Sequence, residues 1–446
     1  MLNTTPTQVS QIKISMGEKK LKILFIPEVV TDAHLYRTLT LAQSIKTKYN
    51  VIFAASEYVR EIIEKESIPF FSIPTMKREE FLFRLDKGKP IYTMDILKNY
   101  VTSELLLFDN VSPDIVIGDF RLSLSISCEH WGVPYVNIVN AHWSPFYKQI
   151  FSLPDTIDIK KVLGDRISTS LFLLLKPIIF RTQVKAINEL RKQFGLSGIG
   201  ELREVYTYGT YTLYPDVPSL FPTRQLPKNH MFIGPIMYQS PTPMPEWWEK
   251  CISAKKTLIY ISLGSSGDPS LYHSILTTIK NLPVIGIVST SNKYQPEPDI
   301  KEAENIFIAN YLPAMDIIKE SSLVICNGGS GTVYQALSCG VPVIGLPRNM
   351  DQYLIMNQLE KSNYGKLIRK GDCYKKNLRE TIITLLEDKK IKENVYRISK
   401  EIKRYDAIKN FGIFLKSLEH TISSDRQEIK DQDLLTLNKD EGEYVV

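Results

Sequence analysis

At 446 residues, 43% apolar and 23% charged, the chain is too long for one ordinary domain and suits two globular units of about 200 residues each. Its net charge of +6 comes from 55 basic against 49 acidic residues without long runs of one sign. That balance excludes a basic nucleic-acid face, while it suits an anionic small-molecule ligand and a weak attraction to an anionic membrane surface. Five cysteines with no C-x-x-C spacing exclude a disulfide framework and a zinc site, and imply a reduced, cytoplasmic setting.

Residues 1–20 are polar and lack the apolar run of a signal peptide. From residue 21 the chain alternates: "LKILFIPE" reads as a buried strand, "HLYRTLTLAQSIKTK" as a helix, "NVIFAAS" as a strand and "EYVREIIEKE" as a helix. "PFFSIP", "PDIVIGDF", a helix through "LSLSISCEHW" and "PYVNIVN" continue the series. Such βαβ units predict a parallel sheet covered on both faces, here an amino-terminal domain over 21–236. Residues 141–200 break the pattern and read as an insertion at the sheet's carboxyl edge. Their apolar stretch "LFLLLKPIIF" is interrupted by Lys176 and Pro177 and is too short to span a bilayer. With Lys160, Lys161, Arg166, Lys176, Arg181 and Lys185 nearby, it suits peripheral contact with an anionic membrane and a lipophilic or lipid ligand.

Prolines between Pro235 and Pro245 mark a stiff linker over 237–256. A second series fills 257–393: "TLIYISLGSSG", a helix near "LYHSILTTIKN", "PVIGIVST", "NIFIANYLP", "SLVICNGGSGT" and "VPVIGLPRNMDQ". A carboxyl-terminal helix over 394–422 is expected to pack back toward the first domain. The polar tail 423–446 is expected to be disordered, and its Asp431 and Asp433 read as solvated charge rather than a metal site.

Two doubly wound domains in tandem place a cleft between the carboxyl ends of two sheets. Gly328, Gly329 and Gly331 follow a strand and open a helix near Thr332, so backbone N–H groups and the helix dipole converge on one anion site, with phosphate the usual occupant. "LGSSG" (Leu263 to Gly267) ends another strand in the same way. "PRNMDQ" ends the next strand with groups able to hold sugar hydroxyls.

The run "NGGSGTVYQALSCGVPVIGLPRNMDQ" resembles the donor signature of family 1, the UDP-glycosyltransferase-like enzymes of bacterial macrolide type, whose bacterial members typically read HGG-x-GT, E-A-L, GVP, P and DQ. The likeness implies a GT-B fold: α/β, two Rossmann-like doubly wound domains facing a central cleft. It implies an inverting, metal-independent transfer from a nucleoside-diphosphate sugar, a UDP-sugar by family habit, to a hydroxyl of a small lipophilic acceptor, with no further cofactor. His34 in "DAHLYRTLTLA" stands where the family keeps its base, and Asp119 where a carboxylate orients it. Imidazole titrates in the range needed to deprotonate a bound hydroxyl, and a buried aspartate on the other ring nitrogen fixes its tautomer. The same likeness places Gly264, Ser265, Ser266, Asn327, Gly328, Gly329, Ser330, Gly331 and Thr332 at the diphosphate. Tyr311 and Leu312 fall at the base, Gln335 at the ribose, and Asp351 and Gln352 at the sugar.

Two positions depart from the family: Asn327 replaces its phosphate-binding histidine and Gln335 its ribose-binding glutamate. His142, with Trp143, is a rival base and reads as an acceptor-pocket wall; His130 reads as a helix-surface residue. A nucleotide-sugar epimerase on the same fold, or a degenerate nucleotide-sugar-binding subunit assisting a partner, are the competing readings.

Overall fold

The computed structural model describes residues 20–440 apart from 239–240 and 374–376, so the polar segment expected over 1–20 lies almost wholly outside the described residues. The first sheet takes β1 (Lys22–Pro27), β2 (Asn50–Ala55), β3 (Phe70–Ser72), β4 (Ile115–Asp119), β5 (Tyr135–Ile138), β6 (Tyr211–Tyr214) and β7 (His230–Phe232). Its order is β3-β2-β1-β4-β5-β6-β7, every pairing parallel. The second takes β8 (Thr257–Ser262), β9 (Val284–Ser289), β10 (Ile306–Ala309), β11 (Leu323–Cys326), β12 (Val343–Gly345) and β13 (Gly365–Leu367), ordered β10-β9-β8-β11-β12-β13 and also parallel throughout. Strands such as "KILFIP" and "TLIYIS" are apolar on both faces because helices cover both sides of each sheet.

In each sheet the strand order reverses beside the first strand, at β1/β4 and at β8/β11. The crevice beyond the carboxyl ends at such a switch point is where open α/β sheets bind ligands. The chain here sets two switch points against each other. An apolar cluster continuous through Tyr214, Val217 and Phe221 of the first domain and Tyr334, Leu337 and Leu359 of the second joins the two units.

The helix Ala407–Asp440 closes the molecule by returning to the first domain. Phe411, Phe414, Leu415 and Leu418 pack beside Leu35, Leu39 and Ile45 of the helix Asp32–Ile45. Each such side chain contributes about 1.5–3 kcal/mol on burial. Asn410 Nδ2 donates to the Ile233 carbonyl at 2.9 Å and fixes the crossing. The helix runs on to Asp440 through most of the tail whose polarity predicted disorder. No proline or glycine interrupts Ile413 to Asp440, and its Glu, Gln, Lys and Leu residues are good helix formers.

Candidate active site

His34 enters the site from the first turn of the helix Asp32–Ile45, and Asp119 from the last residue of β4. Pro27 of β1 pairs in register with Asp119, so both groups leave the sheet at its switch point. His34 Nδ1 lies 2.7 Å from Asp119 Oδ1. Burial alone would raise the Asp119 carboxyl, but Arg37 and His34 beside it outweigh that and hold it below its usual range. With the carboxylate ionised, only Nδ1–H can bridge the pair, which leaves Nε2 as the basic nitrogen on the cavity side.

Phe120, the next residue, stacks its ring on His34 at 5.2 Å and 9°. Its backbone is left-handed, with φ 57°. That conformation costs a bulky residue about 1–3 kcal/mol and recurs where a functional geometry is over-determined by its surroundings.

Across the cleft, Gly264 (φ 59°) turns the chain after β8, and Asn327 to Gly329 turn it after β11. Gly328 has φ 79°, and a Cβ there would come within 2.5 Å of Met356 Cγ, so both backbone and packing demand glycine. Asn327 clasps the two turns together. Its Oδ1 accepts from Gly329 N–H at 3.1 Å, and its Nδ2 donates to Ser266 Oγ at 3.2 Å. Gln352 Nε2 donates to the same hydroxyl at 3.0 Å.

The helix Ser330–Ser338 starts at this point. Helix geometry leaves the N–H groups of Ser330, Gly331 and Thr332 without intrahelical partners. All three residues line the cavity, and so does Asn327, whose amide keeps a second hydrogen. Hydroxyls, N–H groups and a helix N-terminus are the partners of phosphate oxygens.

The cavity has a volume of about 940 Å³ and is continuous from the glycine turns past His34 into an apolar chamber. Phe81, Ile91, Phe120, Trp143 and Tyr206 form one wall of the chamber, and Phe172, Ile179 and Phe180 of the insertion form the other. The helix Asp158–Gln183 that carries the latter three is kinked at Gly164 (φ 71°).

The structure redistributes several expected residues. Gly264, Ser265, Ser266, Gly329, Gln335, Asp351 and Gln352 line the cavity; Tyr311, Leu312 and Gly328 do not. Tyr311 is exposed at the open edge after β10, while Leu312 is buried. Gln335 Nε2 donates to the Tyr238 carbonyl at 3.2 Å and so ties the interdomain linker down.

His142 is not a pocket wall. Its ring is fully buried against Phe221, behind Trp143, and the sequence could not show this because the shielding comes from distant parts of the chain. His142 Nε2 and Trp143 Nε1–H meet Asp351 Oδ1 at 2.6 and 2.7 Å. Burial would raise the Asp351 carboxyl, yet His142 and these bonds bring it well below the usual range. The residue expected at the sugar therefore also latches the two domains. His130 lies exposed on its helix, edge-on to Phe194.

The comparisons with known proteins agree with this architecture. A glycosyltransferase family 28 C-terminal domain model matches residues 259–411. The chain is 38% identical over 353 residues to a PGL/p-HBAD biosynthesis glycosyltransferase of Mycobacterium tuberculosis, covering 79% of this chain and 81% of that protein. It is 37% identical over 371 residues to a PGL/p-HBAD biosynthesis rhamnosyltransferase of Mycobacterium bovis, covering 82% and 80%. The chain belongs to this glycosyltransferase family. Among solved structures, the spinosyn forosaminyltransferase SpnP superposes with a TM-score of 0.66 at 15% identity over 91% of this chain and all of that one. The spinosyn rhamnosyltransferase SpnG, complexed with thymidine diphosphate, gives 0.64 at 16% over 90% and 100%. The fold is GT-B.

In this glycosyltransferase three side chains that carry no motif brace the site: Arg37 lines the cavity, while Asp216 and Lys293 lie outside it. Arg37 donates through Nε and Nη2 to the two Asp119 oxygens and through Nη1 to Asn140 Oδ1 at 2.7 Å. Buried Asp216 accepts from Ala141 N–H, Asn140 Nδ2 and Tyr334 O–H. Lys293 Nζ donates to the Ser265 carbonyl, which puts a cation beside the glycine turn; burial, then Arg78, lowers its pKa.

Proposed function

We propose that the protein transfers a sugar, with inversion, from a pyrimidine nucleoside-diphosphate sugar to a hydroxyl of a lipophilic acceptor in the cytoplasm. The observation that carries this reading is the 2.7 Å His34–Asp119 contact, set in the same cavity as the glycine turns and between them and an apolar chamber. His34 Nε2 takes the acceptor's proton as its oxygen attacks the anomeric carbon from the face opposite the diphosphate. Asp119 holds the imidazolium that forms. Charge developing on the leaving diphosphate is met by the Ser330 to Thr332 N–H groups, the Asn327 amide and the Ser265 and Ser266 hydroxyls. These are ligands for phosphate oxygens rather than for a divalent cation, so the step is proposed to run without a metal. UDP-sugars are the family's usual donors; a rhamnosyl donor deserves equal trial because a relative is named a rhamnosyltransferase.

The test is His34→Ala, assayed with UDP- and thymidine-diphosphate sugars and a hydrophobic alcohol or phenol. Turnover should fall about 10²–10⁴-fold, the usual contribution of a positioned base. Affinity for the nucleoside diphosphate should stay within about twofold, because its site lies on the other domain. Near-normal turnover in the variant would remove His34 from the mechanism.

A further inference from the structure

The helix Asp158–Gln183 has two faces, and the acceptor chamber uses only one. On the other, beyond the kink at Gly164, Leu174 is 75% exposed, with Ile167 and Ile178 also open to solvent. Ile167, Leu174 and Ile178 are spaced seven and four apart, which places them in one stripe along the helix. A lone exposed leucine needs no explanation; a contiguous apolar stripe does.

Arg166 and Arg181 bracket the stripe with no acidic residue between them, whereas Lys176 turns its Nζ over the Phe151 and Phe180 rings on the chamber side and Lys185 pairs with Glu189 at 3.7 Å. A neighbouring helix end and its loop extend the same surface: Phe83, on the helix Arg78–Asp86, is exposed with Lys89 Nζ of the following loop 5.0 Å over its ring, and Gln183 Nε2 holds that loop through the Gly88 carbonyl at 2.9 Å. Gly88, Lys89 and Pro90 line the cavity, so this surface borders an edge of the chamber.

We propose that this face docks on an anionic lipid bilayer, with the helix lying in the headgroup plane. A bilayer-dissolved acceptor then passes between the helix and the 87–90 loop into the chamber without crossing water. Among the described residues no helix is long and apolar enough to cross a membrane, so the contact is peripheral. A second copy of the chain fits less well, since a self-complementary interface would set Arg166 and Arg181 near their own symmetry mates. Phosphate headgroups complement the arginines and acyl chains complement the stripe.

The inference rests on the lipophilic-acceptor reading, and its test separates the two. Flotation with phosphatidylglycerol-containing vesicles at low salt should carry the protein upward. Pure phosphatidylcholine or high salt should lower the bound-to-free ratio at least tenfold. The double variant Leu174→Glu/Ile178→Glu should lose binding by a similar factor, yet transfer sugar to a water-soluble short-chain acceptor within twofold of the unaltered protein. Absence of binding to anionic vesicles would overturn the proposal, as would equal binding by the double variant. A dimer in sedimentation that the double variant abolishes would also overturn it and assign the face to a second copy. Failure of both proteins to glycosylate any soluble acceptor, with vesicle binding kept by the unaltered protein and lost by the double variant, would count against the proposed activity and leave the docking surface standing.

Discussion

Arg37 grips both oxygens of Asp119, Nε to Oδ2 at 2.9 Å and Nη2 to Oδ1 at 2.7 Å, so the carboxylate that faces His34 is clamped from behind. The guanidinium fork matches the carboxylate plane, and Asn140 fixes its third nitrogen. Arg37 Nη2 also lies 3.3 Å from His34 Nδ1, on the ring edge away from Nε2, so Arg37 positions the proposed base both through Asp119 and directly.

Arg37→Met should therefore damage turnover through Asp119. The variant leaves a buried carboxylate with the His34 imidazole as its remaining side-chain partner, and breaking a buried pair in this way costs about 3–5 kcal/mol of stability. Asp119 is depressed in the native protein. Its contribution is present above the ordinary carboxylate value and is lost as pH falls through the lowered native one. Without Arg37 that native value rises, so the acid limb of kcat/KM should move to higher pH. A pH–rate profile of the variant, alongside its urea unfolding, checks both effects. A lowered rate with an unmoved acid limb would reduce Arg37 to a packing role.

Asn327 yields a second expectation. Asn327→Asp retains an oxygen for Gly329 N–H, and Ser266 can rotate to donate to the new carboxylate, so the clasp between the turns survives. What changes is charge beside the proposed diphosphate site. Nucleoside-diphosphate affinity at pH 7 should fall about 10–100-fold, or about 1.4–2.8 kcal/mol. Part of the loss should return toward pH 4 as the new carboxyl protonates. Calorimetric titration at the two pH values decides it. Unchanged affinity would mean that position 327 does not face the phosphates.

How much of this was open to a reader of the sequence depended on how local each signal was. The alternating βαβ pattern and the two glycine turns sit within short runs, and the fold follows from them. The pairing of His34 with Asp119 came from family resemblance, and the structure sets the two at hydrogen-bonding distance. Arg37 lies one turn after His34 inside the same quoted run, yet it reads as an ordinary helix-surface arginine. Its partners Asp119 and Asn140 lie 82 and 103 residues away. Asp351 reads as a sugar ligand and lines the cavity; its latch to His142 and Trp143 is invisible in the sequence because it spans more than 200 residues. The helix Met94–Val111 carries an equally local signal: Leu97, Tyr100, Val101, Glu104, Leu107, Phe108 and Val111 form its buried face at helical spacing.

The seam between the domains carries the last prediction. Asp216 accepts from Tyr334 O–H at 2.8 Å, and the same phenol oxygen accepts from Val217 N–H at 3.2 Å. Burial raises the Asp216 carboxyl above its ordinary range, although His142, the Ala141 N–H, Tyr334 and Asn140 pull it back. A carboxyl raised in the folded state holds its proton more tightly there than in the unfolded chain. Its burden on stability is thus absent at low pH and grows as pH rises from the ordinary carboxylate value through the raised one. Tyr334→Phe removes a donor to the ionised form and pushes the carboxyl higher still. The lost Val217 bond should cost about 0.5–1.5 kcal/mol at any pH. The lost bond to Asp216 should add about 1.5–3 kcal/mol once the carboxylate is ionised, and little when it is protonated. Urea unfolding of both proteins at pH 5 and pH 8 should show a larger cost of the substitution at the higher pH. An equal cost at both would mean that Asp216 keeps one protonation state across that range and that the seam does not respond to pH through this pair.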